Sequence, residues 1–376
     1  MSHNININRF NTKIVMLLIT EMCNLNCHYC FEHNKSLNKM SFETAKSIID
    51  NEIAIDDDRD VIEIELFGGE PFLEFELIKK LVKYVRTIKT DKKVYFFATT
   101  NGVLIKDDIK RWLVDNKDLV VCSVSLDGTP EMHNLNRDNS FDKIDYSFFK
   151  ELYPEQTCKM TISELTLPKI FDGIMFLIGL GYKIKASFAQ GINWDLPRNV
   201  EILENELKKL VDYYIRNPNE PLITFLDYNL VRLSVAQTDD NFRWCGAGKG
   251  MIAYDYKGDS YPCQSFSPFS LGESSRAFKN KIEVFKNFRD PKCKGCFIER
   301  ICPTCYGINQ QARGDYKCRD GSLCTINKMC VLASANIQFH RLQQITDLKS
   351  ECLSGEQILC LKAIKDLNRL LVLSMK

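Results

Sequence analysis

The sequence has no long apolar run and no marked excess of charge of either sign. The apolar stretch nearest the N-terminus, residues 14–19, is too short for the core of a signal peptide or for a membrane span. Fifty Lys and Arg residues against 49 Asp and Glu residues give a net charge of +1, and no basic block is present that could follow a phosphate backbone. We therefore predict a cytoplasmic protein that binds neither a membrane nor nucleic acid.

Internal repeats and low-complexity linkers are also absent, so the length has to indicate the number of domains. A single core rarely grows beyond about 250 to 300 residues, and this chain has 376. Together with the cysteine spacing described below, the length predicts a large domain at 1–238, a small cysteine-rich domain at 239–330 and C-terminal helices at 331–376.

The sixteen cysteines do not indicate a disulfide scaffold. Such scaffolds are typically short secreted chains, and this chain is neither short nor secreted. Unpaired thiols in a reducing compartment act as metal ligands, as catalysts or as core side chains. We predict the role of core side chain for the cysteines on apolar segments, which are Cys122, Cys158, Cys352 and Cys360.

Three cysteines lie in a short loop after the first apolar run. Cys23, Cys27 and Cys30 are separated by three and two residues. A tetrahedral zinc site or a complete 4Fe-4S cluster normally takes four protein ligands. Three thiolates in one loop can instead hold three corners of a 4Fe-4S cluster and leave one iron open to a small molecule. A zinc knuckle or a chance grouping of cysteines is the alternative.

The spacing and the position of this motif resemble the radical S-adenosylmethionine (SAM) superfamily. The resemblance implies that the open iron chelates the amino and carboxylate groups of SAM, and that an electron from the cluster cleaves SAM to a 5'-deoxyadenosyl radical. It makes Cys23, Cys27 and Cys30 metal ligands. It also places Tyr29, which precedes the third cysteine, in the SAM site.

Six runs of β-branched and aromatic residues alternate with segments of helical spacing in the first half of the chain. Strands that alternate with helices form parallel sheets. A closed eight-stranded barrel needs about 250 residues, and these six units occupy fewer. We expect an α/β fold with a partial (β/α)6 barrel, as the resemblance also implies, and two C-terminal helices at 331–348 and 356–373. The predicted strands are 14–20, 61–67, 94–99, 120–126, 159–163 and 184–188.

Sites in parallel α/β barrels form at the carboxyl ends of the strands, and further motifs lie at these ends. The resemblance implies that Gly68, Gly69 and Glu70 receive the amino group of SAM, and that polar residues after the next two strands meet its carboxylate and ribose. Arg137 is a candidate carboxylate clamp because guanidinium is a planar fork. A turn, a cap or a surface position is the alternative for each residue. The polar residues after those two strands are Thr100, Asn101, Ser125 and Asp127.

Nine of the sixteen cysteines lie between residues 245 and 330. Their spacing resembles the SPASM extension, which carries two auxiliary iron-sulfur clusters in maturases, except that two residues rather than three separate Cys302 from Cys305. The resemblance implies three ligands for the first cluster, so that one iron is open to a substrate thiolate or to Cys318, and four ligands for the second. Thiolates suit zinc as well, so a zinc-ribbon interaction protein is the alternative. The first set is Cys245, Cys263 and Cys305, and the second is Cys293, Cys296, Cys302 and Cys324.

Two enzyme classes share this layout, the anaerobic sulfatase maturases and the maturases of ribosomally made peptides. Sulfatase maturases usually have a glutamine and an aspartate at the positions that Phe67 and Gln264 occupy here. A neutral amide cannot replace a carboxylate base. We therefore expect a peptide maturase that forms a cysteine thioether, with oxidation of a sulfatase Cys or Ser to formylglycine as the alternative. Carbon-carbon coupling and epimerisation begin with the same radical and stay open. The candidate catalytic residues are Gln264 and Arg137.

The predicted cofactors are SAM and three 4Fe-4S clusters, one that binds SAM and two that are auxiliary. The predicted partners are a precursor peptide and an electron donor such as flavodoxin or ferredoxin. Only 22 residues precede Cys23, which are too few for the leader-recognition domain of many peptide maturases. The peptide would then be held by the mouth of the barrel, by the C-terminal helices, or by a separate leader-binding protein.

Overall fold

The computed structural model describes residues 11–55, 57–234, 244–281, 288–349 and 353–374, so Cys352 lies outside the described residues. Six strands of the first half each lead to helical segments, as the sequence predicts. These strands are β1 (Thr12–Thr20), β2 (Val61–Gly68), β3 (Lys93–Thr100), β4 (Val120–Val124), β5 (Thr157–Ile162) and β6 (Lys183–Phe188). The helices of this half are α1 (Phe42–Ala54), α2 (Phe75–Val85), α3 (Asp107–Asp115), α4 (Pro130–Asn136), α5 (Tyr146–Leu152), α6 (Ile170–Gly179) and α7 (Pro197–Arg216).

The second half contributes a short hairpin and further helices. These elements are α8 (Val231–Ser234), β7 (Met251–Tyr254), β8 (Ser260–Tyr261), α9 (Pro268–Leu271), α10 (Tyr306–Arg313), α11 (Cys324–Lys349) and α12 (Gly355–Ser374). None of the helices among the described residues is both long enough and apolar enough to cross a membrane.

The first six strands form a curved, open parallel arrangement. β1 to β4 are neighbours in chain order within one sheet, and β5 pairs with β6 in a second. A single bridge between Ser125 and Lys159 joins the two sheets. The α/β fold with a partial (β/α)6 barrel is therefore confirmed. The parallel pairing of β7 with the free edge of β1, from Ile14 opposite Met251, was not predicted.

Local sequence explains why these elements form where they do. The hydroxyl of Ser41 accepts a hydrogen bond from the Thr44 backbone at 3.0 Å and so caps α1. Along β2, Ile62, Ile64 and Leu66 are buried beneath the helices, whereas the residues between them occupy the opposite face. That opposite face lines the concave side of the sheet.

The C-terminal helices pack against the barrel. α11 lies along α7, and α12 contacts α8 and α11. The hydroxyl of Ser334 donates to the Leu226 carbonyl at 2.6 Å and fixes α11 to the loop before α8. The expected start of the first C-terminal helix at residue 331 is wrong, since α11 begins at Cys324. The turns of α11 before residue 331 belong to the cysteine motif, and we interpreted that motif as loop. The domain boundaries after residues 238 and 330 stay predictions.

Candidate functional site

The cysteine loop follows β1 directly and is held at the carboxyl end of the strands. The backbone of His28 donates to the Asn136 carbonyl at 2.9 Å, which ties the loop to the end of α4. Burial and, less strongly, negative charge on Cys23 and Cys30 raise the pKa of the Cys27 thiol to about 11, although the charge of Arg137 lowers it. The three thiols therefore lie close enough to repel each other as thiolates. Because a bound metal requires thiolates, its binding would release these protons.

Two glycines allow the loop after β2 to approach the cysteine loop closely. A Cβ atom on Gly68 would lie 2.1 Å from the Thr20 carbonyl oxygen. A Cβ atom on Gly69 would lie 2.2 Å from the Met22 oxygen and 2.7 Å from the Cβ atom of Cys23. In the structure these glycines make room for the backbone that carries the first cysteine, and their role in binding SAM stays a prediction.

Glu70 joins the β2 and β3 ends beneath this loop. Its carboxylate accepts hydrogen bonds from the Thr100 hydroxyl at 2.8 Å and from the Asn101 backbone at 2.8 Å. Burial raises the pKa of the Glu70 carboxyl, and these hydrogen bonds lower it. The Asn101 side chain continues the connection by donating to the Asn24 oxygen at 2.8 Å. Three predicted SAM-site residues, Glu70, Thr100 and Asn101, thus form one network under the cysteine loop.

A second network surrounds Asp127, which is fully buried. One carboxylate oxygen accepts hydrogen bonds from the Tyr29 hydroxyl at 2.7 Å, the Arg137 Nε atom at 2.9 Å and the Asn136 amide at 3.1 Å. The other oxygen accepts from the Thr161 backbone at 2.8 Å. The Arg137 guanidinium also lies 5.4 Å from the centre of the Tyr29 ring. The structure therefore brings Tyr29, Asp127 and Arg137 together as predicted, with Arg137 in a buried ion pair.

Ser125 completes the predicted residues at this end of the barrel. It is buried, and its backbone N–H donates to the Thr100 carbonyl at 2.9 Å. Its residue pair across the sheet is Lys159 on β5. The predicted SAM-site residues thus occupy one end of strands β1 to β4, in contact through the two networks.

The cysteines of the second half separate into two groups. In the first, burial raises the pKa of the Cys263 thiol well above its usual value, and negative charge on Cys305 and Cys245 raises it further. Cys305 immediately precedes α10, whose Gly307 packs so closely on the turn after Cys263 that a Cβ atom there would lie 2.2 Å from the Ser265 Cβ atom. The group is the first set predicted from the spacing.

The second group contains the four remaining predicted ligands. Burial raises the pKa of the Cys302 thiol to about 11, whereas the charge of Arg319 lowers it. Negative charge on Cys324 and Cys293 raises the pKa of Cys302, and negative charge on Cys296 raises the pKa of Cys324. All four thiols are therefore neighbours. Cys318 is half-buried, and its carbonyl accepts from the Arg313 Nε atom at 2.7 Å.

The other described cysteines behave as core side chains. Cys122, Cys158 and Cys360 are buried, as predicted, and Cys330 is buried within α11. Burial raises the pKa of the Cys122 and Cys158 thiols to about 12. Among the described residues, no three His, Cys, Asp or Glu side chains converge on a point that fits one metal ion. A 4Fe-4S cluster differs from a single ion in spreading its thiolates over separate irons.

Gln264 follows Cys263 and has a carboxyl group as a near neighbour that the sequence did not indicate. The backbone carbonyl of Gln264 accepts a hydrogen bond from the Ser270 hydroxyl at 3.3 Å, and that hydroxyl lies 2.7 Å from a carboxylate oxygen of Glu32. Burial raises the pKa of the Glu32 carboxyl to about 7. Glu32 Oε1 and Gln264 Oε1 are both buried, and neither has a hydrogen-bond partner among the described residues. The sequence signal that could have indicated this carboxyl group is the glutamate directly after the cysteine motif.

Comparison with known proteins gives consistent matches. A family model described as a 4Fe-4S single cluster domain matches residues 13–144. The cysteine-type anaerobic sulfatase-maturating enzyme of Clostridium perfringens is 33% identical over 326 residues, which cover 74% of this chain and 84% of that enzyme.

Two solved structures share the fold. The structure of native anSMEcpe with bound AdoMet matches with a TM-score of 0.66 and 20% identity, over 90% of this chain and 98% of that chain. The structure of Streptococcus suis SuiB bound to the precursor peptide SuiA matches with a TM-score of 0.54 and 18% identity, over 83% of this chain and 75% of that chain.

Proposed function

This chain belongs to the radical SAM family that includes the anaerobic sulfatase-maturating enzymes, and we propose that it modifies a ribosomally made peptide by forming a cysteine thioether. The observation that supports a radical SAM maturase with auxiliary clusters is the separation of the predicted ligand cysteines into three groups of neighbouring thiols. A peptide substrate is supported by the SuiB structure, which has a precursor peptide bound. The structure of anSMEcpe with the Cp18Cys peptide gives the same support.

Cys23, Cys27 and Cys30 fit a 4Fe-4S cluster that also binds SAM, because three thiols share one short loop and repel each other as thiolates. When bound, this cluster and SAM supply a 5'-deoxyadenosyl radical that abstracts a hydrogen atom from the substrate. The residues around the loop hold its shape. Glu70 connects it to β3, and Asp127 fixes Tyr29 and Arg137 beside it.

The two cysteine groups of the second half fit two auxiliary clusters. The first group supplies three thiols, one fewer than a cubane has irons, and the second supplies four. We therefore propose three clusters, which corresponds to roughly twelve irons per chain if each is 4Fe-4S. Electrons would come from a donor such as flavodoxin or ferredoxin, and a separate leader-binding protein would present the peptide.

The choice of thioether formation depends on Phe67 and Gln264. The Phe67 ring packs edge-to-face on Phe269, with ring centres 6.4 Å apart, so the position before Gly68 belongs to an apolar cluster. Gln264 brings an amide to the position beside Cys263, and an amide cannot accept a proton as a carboxylate does. Both positions differ from those typical of sulfatase maturases.

Formylglycine formation is the second candidate, and two observations favour it. The Clostridium perfringens relative at 33% identity is a sulfatase-maturating enzyme. In addition, Glu32 supplies a buried carboxyl that is linked to Gln264 through Ser270. A carboxyl group is thus available near Cys263 although residue 264 itself is an amide.

Mass spectrometry separates the two enzyme candidates. The anaerobic protein, loaded with iron and sulfide, is incubated with SAM, a reductant and the peptide encoded beside its gene. Loss of two hydrogens together with loss of thiol alkylation supports a thioether. Conversion of a sulfatase cysteine to formylglycine without a cross-link would contradict it. Gln264→Asp should leave SAM cleavage intact and lower thioether yield, since a negative charge beside Cys263 repels an incoming thiolate.

Metal analysis separates both enzymes from a zinc-ribbon interaction protein. Protein purified without oxygen should be brown and contain roughly twelve irons, whereas a zinc ribbon would be colourless and contain zinc. A chain with stoichiometric zinc and almost no iron would contradict every step of the proposal.

A further inference from the structure

Two lysines lie directly opposite each other on neighbouring strands. The register of β5 and β6 pairs Lys159 with Lys185. Their chain neighbours Cys158, Met160 and Ile184 are buried in the core beneath the helices. Because side chains alternate along a strand, the two lysines occupy the other face of the sheet, and both are exposed.

That face is the concave interior of the partial barrel. Ser125 at the end of β4 bridges to Lys159, which places this lysine beside the predicted SAM site. Glu65 lies on β2, three strands away from β5, or about 14 Å along the sheet at 4.8 Å per strand. The charges of Lys159 and Lys185 nevertheless lower the pKa of Glu65, so these groups face each other across the interior.

The pairing of the two lysines is unfavourable in itself. Like charges directly opposite each other on one face of a sheet repel. No described residue forms a hydrogen bond or an ion pair with either lysine. By contrast, Lys183, which lies two residues before Lys185 on the same face, forms an ion pair with Glu155 at 2.6 Å. Burial raises the pKa of the Glu65 carboxyl to about 7, so Glu65 supplies only partial negative charge at neutral pH. Burial and the charge of Lys185 lower the pKa of Lys159, so a negative group bound beside the two lysines would favour their charged form.

We propose that Lys159 and Lys185 bind a carboxylate of the substrate peptide and so select peptides with an acidic group near the modified residue. This inference rests on the proposed function, in that it assumes a peptide enters the barrel. A carboxylate between two ammonium groups accepts hydrogen bonds from both and removes their repulsion. The carboxylate can come from an Asp or Glu side chain or from the C-terminus of the peptide.

The test uses synthetic 15-residue peptides with one central Cys among Gly and Ser residues and with both ends capped. In one series each peptide has a single Asp, placed at one of the four positions on either side of the Cys. A matched series has Asn at the same positions. A third series has Asn and a free C-terminal carboxylate. Affinity for the anaerobic, cluster-loaded enzyme with SAM present is measured by fluorescence anisotropy at about 50 mM and 300 mM salt.

We expect at least one Asp peptide, or the peptide with a free C-terminus, to bind at least tenfold more tightly than its capped Asn counterpart at low salt. The preference should disappear in the double variant Lys159→Met, Lys185→Met. It should remain in the control Lys183→Met, which alters a lysine on the same strand and face. The double variant Lys159→Glu, Lys185→Glu should instead prefer peptides with Lys in place of Asp. Because the native lysines repel each other, removing them is not expected to unfold the protein.

Three outcomes would overturn the inference. In the first, wild-type enzyme binds the charged and neutral peptides equally. In the second, Lys183→Met loses the preference as fully as the double Met variant. In the third, the double Met variant loses affinity for SAM and keeps the preference for Asp peptides, so that the bound carboxylate is that of SAM. A preference for Asp in an enzyme that makes formylglycine would contradict the proposed function alone, and thioether formation without any preference would contradict this inference alone.

Discussion

Asp127→Ala removes the carboxylate around which the second network of the site is arranged. The variant leaves the Arg137 guanidinium buried, at 8% side-chain exposure, without its ion-pair partner. It also removes the acceptor for the Tyr29 hydroxyl and the Thr161 backbone. Breaking a buried ion pair from one side costs about 3 to 5 kcal/mol because the remaining charge is uncompensated. We expect the free energy of unfolding to fall by about this amount.

The double variant Asp127→Ala, Arg137→Met isolates the cause of this loss. It removes the stranded charge together with its partner, so we expect it to be more stable than Asp127→Ala alone. The control is Glu155→Ala, which breaks the exposed ion pair with Lys183 and should leave stability unchanged.

Urea unfolding followed by far-UV circular dichroism under anaerobic conditions measures these three variants and the single variant Arg137→Met. The reasoning is wrong if Asp127→Ala behaves like Glu155→Ala. It is also wrong if the losses of Asp127→Ala and Arg137→Met simply add in the double variant, because additive losses would mean that the two side chains do not interact.

Three further predictions concern other parts of the chain. Gly69→Ala should displace the first cysteine and lose roughly four irons and SAM cleavage, whereas Gly179→Ala, whose new Cβ atom meets nothing within 4 Å, should keep both in the same assays. Glu65 has its pKa raised by burial from 4.5 to about 7, so the folded state keeps a proton that the unfolded chain releases. As the pH rises from about 5 to 7, the free energy of unfolding of the wild-type protein should therefore fall. In urea titrations, Glu65→Gln should remove part of that fall. Cys324→Ala should lower the iron content by roughly four per chain, and Cys318→Ala should leave it unchanged in elemental analysis.

Strands and motifs were predictable because their signals are local. Each of the six barrel strands is a short segment with apolar residues in a run or at alternate positions, and the Ser41 cap lies directly before the helix that it begins. The two cysteine groups of the second half were predictable because their spacing resembles the SPASM extension, whose ligand sets the resemblance implies. Their proximity in the structure depends on turns such as the one that Gly307 packs against.

Contacts between distant segments could not be predicted from the same signals. The pairing of β1 with β7 joins residues far apart in sequence, and neither strand's sequence specifies the other. Asp127 appeared as a strand-end residue, yet its position at the centre of four hydrogen bonds depends on α4 and β5 folding around it. The alternation that places Lys159 opposite Lys185 is visible in the sequence, but their register is known only once the strands are paired.

The claim that Cys23, Cys27 and Cys30 form the SAM-cleaving centre is tested most directly by measuring 5'-deoxyadenosine. Wild-type protein and the triple variant Cys23→Ala, Cys27→Ala, Cys30→Ala are each loaded with iron and sulfide, reduced with dithionite and given SAM, and the product is quantified by liquid chromatography. We predict that wild type forms 5'-deoxyadenosine, and that the triple variant forms none while retaining roughly eight irons in its auxiliary groups. Formation of 5'-deoxyadenosine by the triple variant at the wild-type rate would contradict the account.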